Sequence, residues 1–118
     1  AAEAFAARWL EAQGARILLK NFRRRRGELD LVAEHCGVLI IVEIRLRGSD
    51  RHGGAAASVG PAKQRRIIHT ATQLLQLRPD LARMPVRFDV LAMQPRGLDP
   101  GSEEYSIEWI RHAFSADR

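Results

Sequence analysis

Apolar residues open the chain at helical spacing. Phe5, Ala6, Trp9 and Leu10 share one stripe and Gly14 stops it, which predicts a helix over Ala1 to Gln13. Ile17, Leu18 and Leu19 then mark a strand over Ala15 to Phe22, followed by four arginines, Arg23 to Arg26. From Gly27 to Glu34 the pattern alternates. Leu29, Leu31 and Ala33 point one way, and Glu28, Asp30 and Glu34 the other, with Val32 among them. His35, Cys36 and Gly37 predict a turn. Val38 to Arg47 carries the strongest strand signal: Val38, Ile40, Val42, Ile44 and Leu46 form a core face throughout. The other face starts apolar at Leu39 and Ile41 and becomes charged at Glu43, Arg45 and Arg47.

Gly48 to Gly60 has no periodicity and reads as a loop, either a lid or a simple connection. Pro61 suits a first helical turn, and Ile67, Ala71, Leu74 and Leu75 supply an apolar stripe as far as Leu77, where Arg78-Pro79 ends the helix. Val86 to Met93 alternates again, with Val86, Phe88, Val90 and Ala92 on one face. Gln94 to Gly101 is rich in turn residues. Tyr105 to Ile110 predicts a last strand, with a short tail through Phe114. The order α-β-β-β-α-β-β predicts a single α/β sandwich domain over residues 1–118, built on a mixed sheet.

Parity constrains the central hairpin. The core face is odd-numbered in the second strand and even-numbered in the third, so the connecting loop must hold two or four residues. A four-residue loop, His35 to Val38, sets Asp30 opposite Glu43; a two-residue loop is expected to leave them diagonal. Either way Glu28, Asp30, Glu43 and Arg45 gather on the non-core side. Carboxylates at cross-strand distance repel unless a cation lies between them. Mg²⁺, which prefers oxygen ligands, is one candidate, and Arg45 or an arginine of the 23–26 run is another. A solvated, ion-paired face is the plainer alternative.

Composition narrows the function classes. The 118 residues are 46% hydrophobic and 28% charged, enough for one ordinary core. Lys+Arg number 19 against 14 Asp+Glu, a net charge of +5 that favours anionic partners, and all but Lys20 and Lys63 of these cations are arginine. No aliphatic run is long enough for a membrane-spanning helix, and the lone Cys36 excludes an internal disulfide, so a cytoplasmic location is expected. His35, His52, His69 and His112 show no zinc-ligand spacing. Trp9 and Trp109 suit core faces, and Asp89 reads as structural, without a direct ion pair to Arg87, a place at the periphery of a site being the alternative.

Asp30 followed by Glu43-Ile44-Arg45 is similar to the Asp…Glu-x-Lys signature of restriction-endonuclease-like nucleases, with arginine in the lysine place. The surroundings are more specific. Ala2-Glu3 with Ala6 and Leu10, Asn21-Phe22-Arg23, Gly27-Glu28-Leu29-Asp30-Leu31-Val32 and Val42-Glu43-Ile44-Arg45-Leu46-Arg47 follow in order. Val59-Gly60-Pro61-Ala62-Lys63-Gln64-Arg65-Arg66, Arg87-Phe88-Asp89-Val90 and Ile107-Glu108-Trp109-Ile110 complete a set that resembles the YraN-like family of small bacterial proteins over nearly the whole chain.

The resemblance implies a restriction-endonuclease-like three-layer α/β/α sandwich, close to archaeal Holliday-junction resolvases. It further implies a Mg²⁺ or Mn²⁺ site held by Asp30, Glu43 and the Ile44 carbonyl. Glu3 and Gln64 would complete the catalytic set beside Arg45, and Glu28 would lie next to it. The expected chemistry is metal-assisted phosphodiester hydrolysis on nucleic acid, DNA in the first instance and branched DNA by analogy, with a homodimer as one arrangement. Arg45 can stabilise charge but cannot act as a general base. A nucleic-acid-binding module without turnover, or a partner-binding use of the fold, therefore stays open.

The expected backbone contacts are Arg23, Arg24, Arg25, Arg26, Arg47, Lys63, Arg65 and Arg66. The last three lie in the first turns of a helix, where cations oppose the macrodipole unless an anion is bound. Ion pairing with the acidic face is the alternative for them. Four neutralised phosphates of a duplex would give a salt slope of roughly −3.6.

Overall fold

The computed structural model describes residues 2–47, 59–97 and 104–116. Most of the expected loop at Gly48 to Gly60, and part of that at Gln94 to Gly101, lies outside these residues. The elements are α1 (Ala2–Ala12), β1 (Arg16–Arg24), β2 (Gly27–His35), β3 (Val38–Leu46), α2 (Pro61–Leu77), a 3₁₀ turn (Leu81–Arg83), β4 (Val86–Pro95) and β5 (Tyr105–Phe114). They form an α/β fold in three layers around one five-stranded sheet of order β1-β2-β3-β4-β5. Only the β3–β4 pair, bridged by α2, is parallel.

The sheet is apolar on both faces because a helix covers each. Ala6, Ala7 and Leu10 of α1 pack with Leu31, Ala33, Ile40, Val42, Leu91 and Met93. Ile67, Ala71 and Leu74 of α2 pack with Val32, Leu39, Ile41, Phe88, Val90 and Ala92. The face expected to start apolar at Leu39 and Ile41 is in β3 a second core as far as Ile41, and the charged stretch begins at Glu43 as the pattern predicts. The expected core face of β3 ends early: Leu46 is 60% exposed.

Helix α1 ends at Gly14, whose φ of 95° lets Ala15 N donate back to Leu10 O at 3.0 Å. The β2–β3 turn has two residues, Cys36 and Gly37, with φ of 53° and 79°, the signature of a tight twisted hairpin. Its register runs from His35–Val38 to Leu31–Val42, so the next position sets Asp30 against Glu43. The two-residue loop therefore gives direct opposition, correcting the diagonal expectation.

Alternation in β2 also slips. Leu29 joins the α2-side core while Leu31 joins the α1 side. The slip coincides with Asn21 of β1, left-handed at φ 53° and facing Asp30 in the β1–β2 register. β1 runs on to Arg24, so Arg23 and Arg24 are strand residues, and β5 continues through the expected tail to Phe114.

Candidate functional site

Gly27 sets how closely α2 approaches the sheet. A Cβ at Gly27 would meet Thr70 Oγ1 at 2.6 Å and Arg66 O at 3.3 Å, so only glycine fits without a shift. Thr70, fully buried, spends its hydroxyl on Arg66 O at 2.9 Å. This approach carries Lys63 and Arg66 over the ends of β2 and β3. A hollow of about 350 Å³ results, with Glu28, Asp30 and Glu43 on its floor and Arg23, Arg24, Lys63 and Arg66 around it.

Glu43 is 5% exposed, and Asp30 is half-buried. Asp30 Oδ2 accepts a hydrogen bond from Ile44 N at 2.9 Å, which ties the carboxyl to β3. Burial pushes the Asp30 pKa up to about 6. The Ile44 N–H opposes the rise, and the neighbouring Glu43 and Glu28 add to it. Lys63 Nζ lies 3.0 Å from Glu43 Oε2, and Arg45 Nη1 stands farther off at 3.8 Å. The cation nearest the buried carboxylate thus comes from α2, twenty residues along the chain.

At the rim, Arg23 Nε donates to Glu28 Oε2 at 2.9 Å. The Asn21 amide, turned with its nitrogen toward the acids, donates to Glu28 Oε2 at 3.1 Å and to Glu3 Oε2 at 3.2 Å. Glu3 therefore reaches the edge of the acidic group from the first turn of α1, but does not line the hollow. Gln64, expected to face the carboxylates, instead donates from Nε2 to Val59 O at 2.8 Å and lines a separate groove with Pro61, Arg65 and Ile68. Its side chain closes the entry to α2, which has no side-chain cap at Gly60.

The other expected basic contacts divide. Arg24 lies over the Phe22 ring, 4.7 Å from its centroid, on the rim of the hollow. Arg26, Arg65 and Arg66 share a neighbouring surface depression, whereas Arg25 lines neither. Arg47 is drawn to β5, where its Nη1 is 3.5 Å from Glu108 Oε1.

Asp89 corrects one expectation. It is fully buried, and Arg87 clasps it with Nε and Nη2 at 2.8 and 2.9 Å, the direct ion pair that alternation argued against. The pair forms because the β4–β5 ladder shifts register between Phe88 and Val90, and His112 turns left-handed at φ 53°. Trp109 Nε1 and His112 N then also donate to Asp89, at 2.9 and 3.0 Å. A structural role for Asp89 fits this enclosure. Trp9 meets Trp109 edge to face at 5.8 Å on the α1 side, as core residues.

The donor set at the hollow suits a hard, oxygen-loving divalent cation. Two carboxylates on adjacent strands face each other, and Asp30 resists ionisation next to Glu43, a cost that such a cation would relieve. Among the described residues no three His, Cys, Asp or Glu side chains are placed to hold one metal ion together, so water or substrate would supply the remaining ligands. No described helix is long and apolar enough to cross a membrane.

Comparison with known proteins locates the chain. The model of the uncharacterised protein family UPF0102 matches residues 2–93, which take in both helices, β1 to β3 and most of β4. A UPF0102 protein of Alcanivorax borkumensis is 40% identical over 116 residues, covering 98% of this chain and 90% of its own. A UPF0102 protein of Nitrosomonas europaea is 43% identical over 113 residues, with 96% and 89% covered. One from Methylobacillus flagellatus is 41% identical over 115 residues, with 98% and 94% covered. The matches run through the acidic hollow and its basic rim, and by them the chain belongs to the UPF0102, or YraN, family.

Proposed function

We propose that this protein is a metal-dependent, nucleic-acid-binding nuclease that hydrolyses phosphodiester bonds in DNA. The observation that carries the reading is the meeting of Asp30 and Glu43 at one hollow, with Lys63 at 3.0 Å from Glu43 and arginines around the rim. Asp30, Glu43 and the Ile44 carbonyl would hold Mg²⁺ or Mn²⁺. When bound, the ion supplies charge neutralisation at the phosphate and acidifies a water.

The chain's own residues do the rest. The Ile44 N–H fixes the Asp30 carboxyl by committing one oxygen to β3, with the group held at the hollow beside Glu43. Lys63 supplies the ammonium that the arginine at position 45 cannot replace as a proton-transfer group. Arg45 stabilises phosphate charge from the side, and Arg23, Arg24 and Arg66 hold the backbone over the acids. Glu3 orients Asn21 and thereby Glu28 at the edge, as a positioning residue.

The test is cleavage of labelled four-way-junction, flap and linear DNA with Mn²⁺ or Mg²⁺. Native protein is expected to cut at least one of them. Glu43→Ala is expected to abolish the cut, and Lys63→Met to slow it by about 10²-fold or more. Cleavage by neither native nor Arg45→Lys protein, with salt-sensitive binding retained, would replace this reading by a binding module without turnover.

A further inference from the structure

Beside the acidic hollow lies a second depression of about 420 Å³, formed by Ala62, Arg65, Arg66 and His69 of α2 with Arg26 from the β1–β2 turn. The two differ in charge. The first mixes three acids with four cations, whereas the second contains no acid. Among the described residues the side chains of Arg26, Arg65 and Arg66 form no ion pair, although Arg66 also borders the acidic hollow.

Positions 62, 65, 66 and 69 form one face of α2, which brings Arg65 and Arg66 together on one surface. Three guanidiniums grouped without an acid repel one another, and an anion in the depression reverses that cost. Arg66 lines both depressions, so a ligand that fills the two at once passes over a shared guanidinium.

We propose that this depression is a second phosphate seat, which takes the phosphodiester next to the one placed over Asp30 and Glu43. The inference rests on the nucleic-acid reading above and adds to it. The ligand must carry two consecutive backbone phosphates, so the protein acts on a polynucleotide strand and not on a lone phosphomonoester. Arg26 and Arg65 hold the outer phosphate, and Arg66 bridges it to the inner one. A substrate held at two points has its register along the cleft fixed, which sets which bond lies over the carboxylates.

The experiment is equilibrium binding of a fluorescent 12-base-pair DNA duplex to the full chain in EDTA, titrated with salt. Native protein, the Arg26→Ala/Arg65→Ala double variant and a Lys20→Ala/Arg83→Ala control are compared. All four replaced side chains are exposed, and the control removes the same charge outside both depressions. The expected result is a slope of log K against log salt that is shallower by about 0.9 in Arg26→Ala/Arg65→Ala, one phosphate's worth, and unchanged in the control.

An equal change in the control would overturn the inference, because net charge alone would then account for it. A steep native slope that Arg26→Ala/Arg65→Ala retains would overturn the second seat and leave the nucleic-acid reading standing. Salt-insensitive or absent binding by the native protein would overturn both.

Discussion

Asp30 on β2 and Asp89 on β4 lie two strands apart in one sheet, and the protein treats their charges in opposite ways. Asp89 is sealed and fully answered: a two-pronged arginine, an indole N–H and a backbone N–H all donate to it. Asp30 receives one backbone N–H and faces another carboxylate. The first has its acceptor capacity taken up by protein, which makes it a structural anchor for β5. The second is set against the Glu43 carboxylate in a water-accessible hollow, and burial, with that like charge beside it, pushes its pKa up to about 6. Burial alone therefore does not separate the two acids; what each carboxylate faces, cationic and N–H donors or a second carboxylate, does.

The sharpest way to break this contrast is to remove each carboxylate in turn. Asp89→Ala leaves the Arg87 guanidinium, only 21% exposed, without its partner and frees two further donors. A loss of about 3–5 kcal/mol is expected in urea unfolding, as for other broken buried pairs. Asp30→Asn is expected to lose no stability at pH 8. A comparable loss in Asp30→Asn would show that both acids are structural.

The pH dependence of stability sharpens it further. Folded Asp30 keeps its proton up to about pH 6, while the unfolded side chain releases it near ~3.9. The folded state therefore binds the extra proton between those values. This group's contribution is greatest below the unfolded pKa and falls as pH rises through 6. Discounted for the solvent that reaches the group, the loss is on the order of 1–2 kcal/mol. Urea unfolding at pH 4.5 and pH 8 should reveal this slope in the native protein and its absence in Asp30→Asn. At pH 8 Asp30→Asn is then the more stable protein by a similar amount. A native slope retained by Asp30→Asn would assign the titration to another group.

Much of this was legible in the pattern of residues. Helix α2 runs from Pro61 to Leu77 as its stripe predicts, because a proline start and an Arg-Pro stop are local signals. The parity of the β2–β3 hairpin put Glu28, Asp30 and Glu43 together, since a slip by one residue would expose a core face. What was hidden depends on tertiary approach. Nothing around Gly27 says that Thr70 will lie against it, yet that contact sets Lys63 over Glu43. The Arg87–Asp89 clasp escaped because it needs a ladder shift and a left-handed His112, neither of which leaves a mark in hydrophobic alternation. Gln64 shows the converse error, a side chain of suitable chemistry diverted by the nearer demand of an uncapped helix start.

The smallest expected effect bears on the same contrast. At Asp89 the counter-ion is a fixed guanidinium held by two hydrogen bonds, whereas at Glu43 the nearest is an ammonium whose side chain is 42% exposed, with Arg45 farther off at 3.8 Å. A structural cation should be costly to lose, and an exchangeable one cheap. Lys63→Met is accordingly expected to cost only about 1 kcal/mol of stability without metal, within the range of partly exposed pairs. Because the ammonium would compete with a divalent cation for the Glu43 carboxylate, its removal should tighten Mn²⁺ binding, by about 5-fold for the same 1 kcal/mol. Calorimetric titration of Mn²⁺ into native and Lys63→Met protein separates the cases. Tighter binding together with lost cleavage makes Lys63 an exchangeable partner of the site. Weaker binding would mean that Lys63 holds Glu43 in place, as Arg87 holds Asp89, and the contrast between the two acids would narrow to Asp30 alone.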